Sequence, residues 1–515
     1  PPNAGDTTSY EYDYWGRLLK IIRPGDTSAY ATVTYEYCDT CSPLKTVRYE
    51  RVTSGQTAQV PFYQYYNGLG QLIQENHGAA DTTGMYVTNY TYNALGLVER
   101  AYLPYAAAFA ASYVTPDTSK PRTTTTYDAL GRTTQVTNPD GTTVRTFYDA
   151  HKTLVLNEQN QQAIYEGDVF GRLITVKEYT TAYASPNWTV GAYATTTYAY
   201  TELDLLRLVT DANNRQTTIV YDYAGRKTQM TDPDMGTWTY AYDAADNLLT
   251  QIDAKNQRTH LYYDQLNRLT GKYYCTGCSR PASPTMAVTY SYDSTDYGNL
   301  GIGYRTLMNN VTQGVQTSYM IDARGRVASS WYQVGSDQFV RRWTYNARDQ
   351  VVTQTYPGGN GYQDGEVVTT AYDWYGRPKS LVGASTYVYA DTTYDVLGRL
   401  DYMRFGNDYR TDYVYYPLTQ QGGRVQQIKT GTSGNPTATQ YLAYQYSGVG
   451  NVTQIVDHKN GPQTMTFGYD NLNRLTSASA SGGADTYSHA YTYAQNGNLT
   501  SYAGTAYTYH ATKVH

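Results

Sequence analysis

Tyr221-Asp222-Tyr223-Ala224-Gly225-Arg226-Lys227 is followed 21 residues later by Tyr242-Asp243-Ala244-Ala245-Asp246-Asn247-Leu248, and after another 21 by Tyr263-Asp264-Gln265-Leu266-Asn267-Arg268-Leu269. Copies of one phrase at a fixed step mark a repeat architecture, in which one supersecondary unit is duplicated and stacked. The phrase, Tyr-Asp-x-x-Gly-Arg-Leu or a close variant, recurs in both directions. It reads YDYWGRL from Tyr12, YDALGRT from Tyr127, YDWYGRP from Tyr372, YDVLGRL from Tyr394 and YDNLNRL from Tyr469. Looser copies begin at Tyr66, Tyr92, Tyr148, Tyr200, Tyr345, Tyr446 and Tyr493. Residues 1–515 therefore read as a single repeat array rather than as several globular domains, each unit meeting mainly its neighbours. No separate catalytic domain is visible.

Each unit contains two strand-like halves. Leu248-Leu249-Thr250-Gln251-Ile252 follows the phrase, and returning segments such as Thr237-Trp238-Thr239-Tyr240-Ala241-Tyr242 alternate with period 2. Between them lie Asn138-Pro139-Asp140-Gly141, Asp211-Ala212-Asn213-Asn214, Asp232-Pro233-Asp234-Met235-Gly236 and Asp253-Ala254-Lys255-Asn256, all turn chemistry. No helical period is sustained, so the fold class is all-β. The fifth position of the phrase holds Gly16, Gly70, Gly96, Gly131, Gly225, Gly376, Gly398, Gly450 and Gly497, or else Asn267, Asn473, Asp204, Asp246 and Asp349. Those three residue types tolerate positive φ, so one left-handed turn residue explains the column. The Asp at position two can accept from the turn's own amides. Tyr12, Asp13, Gly16, Arg17, Tyr127, Asp128, Gly131, Arg132, Tyr221, Asp222, Gly225, Arg226, Tyr394, Asp395, Gly398 and Arg399 are accordingly read as structural turn residues, not as catalytic ones.

Composition narrows the function. Charged residues are 16% of the chain and the formal charge is -5, which offers no basic face for nucleic acid. Abundant Tyr and Thr suit strand surfaces and argue against disorder. No apolar stretch is long enough for a membrane-spanning helix; the longest, around Ala106–Ala111, reads as a loop or insert. The ends, Pro1-Pro2-Asn3 and Tyr509 to His515, read as cuts through an array, so a larger protein is expected. The 61 Tyr against 7 Phe ask for a use of the hydroxyl; a hollow, partly hydrated interior is the expectation.

Few residues invite site chemistry. Cys38-Asp39-Thr40-Cys41 and Cys275-Thr276-Gly277-Cys278 fall where hairpin turns are expected. Two local disulfides in an oxidising compartment are the first reading; free thiols and a four-thiolate zinc site are the alternatives. The histidines (His77, His151, His260, His458, His489, His510, His515) are scattered, without an H-E-x-x-H or i,i+4 pair. Asp232-x-Asp234-x-Gly236 superficially resembles the start of a calcium loop but lacks the later bidentate Glu. No catalytic residue, cofactor or metal site is assigned.

The repeated Tyr-Asp phrase, from Tyr12 to about Tyr509, resembles the YD repeat of the Rhs family, shared with the teneurins and with the shell components of insecticidal Tc toxins. That resemblance implies β-hairpins wound into a spiralling sheet that closes into a hollow shell. Bacterial members hold a toxin inside the shell, and teneurin-like members act in adhesion. The self-cleaving DPxGxxDG-like element of bacterial shells has no counterpart here; the only Asp-Pro is Asp232-Pro233. The expected function is a non-enzymatic scaffold of a secreted or cell-surface protein, enclosing or displaying a toxin or effector domain of the same protein. Competing readings are an extracellular filament or adhesion array, and a carbohydrate-binding surface. Open array ends expose unpaired backbone, which makes end-to-end self-association a further expected partner mode.

Overall fold

The computed structural model describes residues 7–78, 84–359, 361, 363–383, 388–459, 461–483 and 485–509. The two terminal segments, with His510 and His515, lie outside the described residues. Among the described residues 42 strands form an antiparallel sheet in which hairpin follows hairpin. The unit around Tyr221 shows how. Strand Gln216–Tyr221 pairs with Lys227–Asp232, Thr218 opposite Thr231 and Tyr221 opposite Lys227, and Lys227–Asp232 pairs in turn with Gly236–Tyr242.

The register slips by one residue between Val220 and Tyr221. It slips at the same place before Tyr12, Tyr127, Tyr242, Tyr372, Tyr394 and Tyr469. The cause is local. Asp222 N–H donates to the Arg226 carbonyl and Gly225 N–H to the Asp222 carbonyl, each at 3.0 Å. The five residues from Asp222 to Arg226 thus form a tight connection with Gly225 in the left-handed region, φ +79°. Such a connection places an extra residue opposite the ladder, a bulge that bends and twists the strand pair.

Residue contacts cluster into two compact units, each assembled from separated segments. The first comprises Pro1–Arg122, Tyr263–Tyr273 and Pro284–Thr411; the second comprises Thr123–Tyr262, Tyr274–Ser283 and Asp412–His515. Each contains a buried apolar core, and in each the core lies beneath a non-repeating segment laid across one sheet face. In the first unit Phe109 and Tyr113 pack on Val47, Tyr63 and Tyr65, while Ala107, Ala110 and Val114 pack on Met85, Val87 and Tyr105. The alanine-rich stretch is therefore more than a surface loop. It begins as the strand Tyr105–Ala107, paired to Met85–Tyr92, and continues as a cover. In the second unit Tyr183, Trp188, Val190 and Ala192 cover Leu154, Leu156, Ile164 and Tyr179.

Both covers are fastened by the same device. Buried Gln74 donates to the Val114 carbonyl at 2.6 Å and accepts from Val114 N–H at 2.9 Å. Buried Gln162 donates to the Asn187 carbonyl at 2.8 Å and accepts from Asn187 N–H at 2.9 Å. A buried amide that saturates one backbone N–H and one C=O holds an irregular segment without leaving unpaired polar groups.

Each unit also joins segments about 300 residues apart in sequence. In the first, Arg324 meets Asp26 at 2.9 Å with side-chain exposures of only 7% and 0%, and its Nε donates to the Pro24 carbonyl. Tyr375 stacks on Tyr86 with ring centroids 4.3 Å apart. In the second, Asn471 donates to the Thr180 carbonyl at 2.7 Å, and Gly422 N–H donates to Asp140 at 2.8 Å. The expectation that units meet mainly their neighbours is thus incomplete: a second, long-range class of contact exists within each compact unit.

Leu154 is fully buried beneath the Trp188 segment. Leu154→Ala is expected to destabilise this region by about 2–5 kcal/mol, measured as lost amide-exchange protection across Lys152–Leu156 and Gln161–Gly167. Leu130→Ala, at an exposed turn tip, is expected to change it by less than about 0.5 kcal/mol.

Candidate functional site

The chemistry of this chain is concentrated in its repeated turn, so the site is built from that turn outward. Asp222 Oδ1 accepts from the amides of Ala224 at 3.0 Å and Arg226 at 2.9 Å, and Oδ2 accepts from Arg226 Nε at 2.7 Å. The same three bonds occur at Asp13 with Arg17, Asp128 with Arg132 and Asp395 with Arg399. Gly16, Gly131 and Gly398 have φ of +77°, +78° and +79°. Where position five is not glycine the backbone is unchanged: φ is +60° at Asn267, +61° at Asn473 and +62° at Asp349.

Position two closes on position six in more than one way, and Asp243 accepts from the neutral Asn247 at 2.9 Å. Asp pairs with Arg, but Asn67 donates to Gln71 Oε1 at 2.8 Å and Asn346 to Gln350 Oε1 at 2.9 Å, with the same two backbone amides donating to each Asn Oδ1. An ion pair and an amide pair are therefore alternative closures of one loop.

Each turn is then bolted to the next unit. Tyr242 Oη donates to the carbonyl of Lys227, the seventh residue of the preceding phrase, at 3.0 Å. Tyr148 bonds Thr133, Tyr221 bonds Leu206, Tyr372 bonds Val351, Tyr394 bonds Pro378 and Tyr493 bonds Leu475 in the same way, at 2.7–2.9 Å. The Arg of the preceding phrase lies over the same ring: Arg226 is 5.0 Å from the Tyr242 centroid, Arg132 is 4.1 Å from Tyr148 and Arg377 is 4.7 Å from Tyr394. Its free end continues forward, Arg226 to the Asp243 carbonyl at 2.8 Å and to Asp246 at 2.8 Å. This answers why Tyr outnumbers Phe. These six tyrosines are half-buried, and their hydroxyls are taken up by a neighbouring unit's carbonyl, so no watery cavity is needed to explain them; Tyr12, at the first phrase, is exposed.

Two units escape a reading keyed on tyrosine. Gly167–Leu173 and Ile321–Val327 begin with Gly and Ile, yet Asp168 with Arg172 and Asp322 with Arg326 close the same loop at 2.7 and 2.8 Å, around Gly171 and Gly325 with φ +81° and +79°. The Asp-x-x-Gly-Arg core was the signal to follow. The Asp232–Gly236 segment is a turn: Asp232 Oδ1 accepts from the amides of Asp234 and Met235.

Both Cys-x-x-Cys pairs are closed as disulfides, Cys38–Cys41 and Cys275–Cys278. Beside the second lies His260, 1% exposed, with Nε2 3.8 Å from Cys278 Sγ and Nδ1 2.9 Å from Thr250 Oγ1. His260 was present in the sequence reading only as one scattered histidine. Its partner pair starts 15 residues later, on the neighbouring strand of the fold.

Comparison with known proteins places this geometry. Residues 115–155 match the RHS Repeat family model. A crystal structure of TcdB2-TccC3 superposes with a TM-score of 0.80 at 19% identity, over 97% of this chain and 31% of that one. A Tc holotoxin pore of Photorhabdus luminescens superposes with a TM-score of 0.75 at 20% identity, over 89% and 26%. The chain thus spans less than a third of the length of these solved chains. No curated protein matches in sequence. Residues 115–155 carry an RHS repeat, and the fold of the chain is that of the Tc-toxin chains.

Two outcomes follow from the turn. Asp222→Asn and Arg226→Gln singly are each expected to lower the thermal midpoint, and the double variant to recover above both, because Asn with Gln is a closure the chain already uses; a double variant no better than its parents would remove the matching argument. The second concerns acid. Backbone amide donation and the adjacent Arg hold the Asp128, Asp222 and Asp264 carboxyls below their ordinary range. The folded pKa lies below the unfolded one, so the unfolded chain takes up protons first as pH falls. The contribution is present above about pH 4 and is lost below it. Burial also lowers the pKa of His77 and His260, so the midpoint should decline from about pH 6.5 and fall more steeply below about pH 4 as the carboxylates protonate; no added steepening below about pH 4 would remove the turn carboxylates from the account.

Proposed function

We propose that this Rhs/YD-repeat chain is wall material of a hollow shell, a non-enzymatic scaffold that encloses or displays a toxin or effector encoded outside the segment. The observation that carries this reading is the likeness to the TcdB2-TccC3 structure across 97% of the chain. The local chemistry supports it. The Asp and Arg of each phrase, the residues best suited to acid-base or anion-binding work, are spent on closing their own turn and gripping the next. Groups so engaged are poorly placed to bind or turn over a substrate. Two closed disulfides support an oxidising compartment for the mature protein.

The deciding experiment is single-particle cryo-EM of the full-length protein, joined to limited proteolysis. Closed particles with internal density, whose contents resist protease until the wall is denatured, are the expected result. Open rods or long filaments, with every segment equally accessible to protease, would overturn the shell and leave a structural polymer.

A further inference from the structure

We infer that His260, Cys275 and Cys278 form a redox-gated zinc site: when the Cys275–Cys278 disulfide is reduced, the two thiolates and the His260 imidazole bind one Zn²⁺, with the fourth position left to water.

The geometry makes the case. One ligand atom from each of the three residues lies within 4.8 Å of the other two. A tetrahedral zinc with Zn–S near 2.3 Å and Zn–N near 2.0 Å needs sulfur and nitrogen about 3.6 Å apart and the sulfurs about 3.8 Å apart. Cys278 Sγ already stands 3.8 Å from His260 Nε2, so the movement needed is the parting of the sulfurs, whose Cα atoms are 6.0 Å apart, with Cys275 Sγ starting within 4.8 Å of the other ligand atoms. Gly277, at φ +69°, provides the left-handed step of a Cys-x-Gly-Cys loop.

The imidazole is held for the task. Metal-bound histidines commonly donate their other ring N–H to a fixed acceptor, which sets tautomer and orientation. Thr250 Oγ1 lies at that place, 2.9 Å from Nδ1, and the ring also bonds the Cys278 backbone, a contact that zinc at Nε2 would replace. The site is reachable, because Cys275 borders a groove shared with Trp238, Asp253 and Tyr274, and both cysteines are only half-buried. Arg258 donates to the Cys278 carbonyl at 2.6 Å, placing a cation beside the loop that favours thiolate over thiol.

The chain carries its own control. Cys38–Cys41 has the same spacing and is also a closed disulfide, but among the described residues it joins no such three-residue group. One pair is a plain staple. The other has a third ligand waiting.

The chemistry balances simply. A phosphine reductant and one water convert the disulfide to two thiols and a phosphine oxide; the incoming Zn²⁺ then displaces two protons, leaving a neutral zinc dithiolate with imidazole and water. In reverse, a peroxide takes two electrons from the thiolates, re-forming the disulfide while hydrogen peroxide and two protons become two waters, and the ion is released.

The test uses the full chain, reduced with a phosphine, desalted without oxygen and titrated with Co²⁺ as probe. One equivalent should give thiolate-to-cobalt charge transfer and the visible bands of four-coordinate cobalt, both erased by Zn²⁺. The oxidised chain should give neither. Cys38→Ser/Cys41→Ser should leave the bands intact, Cys275→Ser/Cys278→Ser should abolish them, and Thr250→Val should weaken binding about 10- to 100-fold. His260→Gln should remove the four-coordinate signature; should that variant fail to fold by circular dichroism, the Cys275→Ser/Cys278→Ser result decides. Absence of bands in the reduced, natively folded chain, or their survival in Cys275→Ser/Cys278→Ser, would overturn the site.

Discussion

Consecutive phrases in this protein are tied by one bond, from a tyrosine hydroxyl to the carbonyl that ends the preceding phrase. A single such bond contributes about 0.5–1.5 kcal/mol net, and the guanidinium over the same ring adds about 0.5–1 kcal/mol. Neither is large. Their strength lies in placement: both act between consecutive units, so turns such as Asp222–Arg226 and Asp128–Arg132 are tied to their successors by ring, hydroxyl and guanidinium together. Tyr242 to Lys227 and Arg226 to Asp246 join the same two units from opposite directions. Stability then propagates along the array unit by unit, as expected where a single hairpin cannot stand alone.

The fold was legible because the turn imposes a backbone that few residues tolerate. The column of Gly, Asn and Asp at position five is a φ constraint written in sequence, and a constraint of that kind survives the loss of its neighbours. Asp168 and Asp322 show this: their units lack the opening tyrosine and still close around a left-handed glycine. What the sequence concealed were contacts with no period. Gln74 and Gln162, each fastening a cover by two bonds to one residue, look like ordinary polar strand positions. His260 becomes informative only when pairing sets it beside a disulfide one unit later. Period-based reading finds what each unit shares, and these residues are where units differ.

The covers deserve a physical explanation, since the repeat itself does not call for them. A sheet of Tyr, Thr and Gln offers little aliphatic surface, and Leu154, Leu156 and Ile164 form a local exception. Burying a Leu or Ile side chain is worth about 1.5–3 kcal/mol, which a bare sheet face cannot collect from water. The segment carrying Trp188 supplies the missing layer, as the one carrying Phe109 does for Val47 and Tyr65.

The buried pair of Arg324 with Asp26 has a further consequence. Where units touch only their neighbours, a gene can gain or lose a copy and the product merely grows or shrinks. Here a guanidinium must arrive opposite a carboxylate 298 residues earlier, and breaking such a pair by removing one partner costs about 3–5 kcal/mol. Duplicating a single hairpin between them would carry the arginine past its mark and strand both charges. Copy number in this stretch is therefore under selection in its own right. The array can drift freely in spelling, within the limits of its turn, but between those two residues its length can change only together with the contact that measures it.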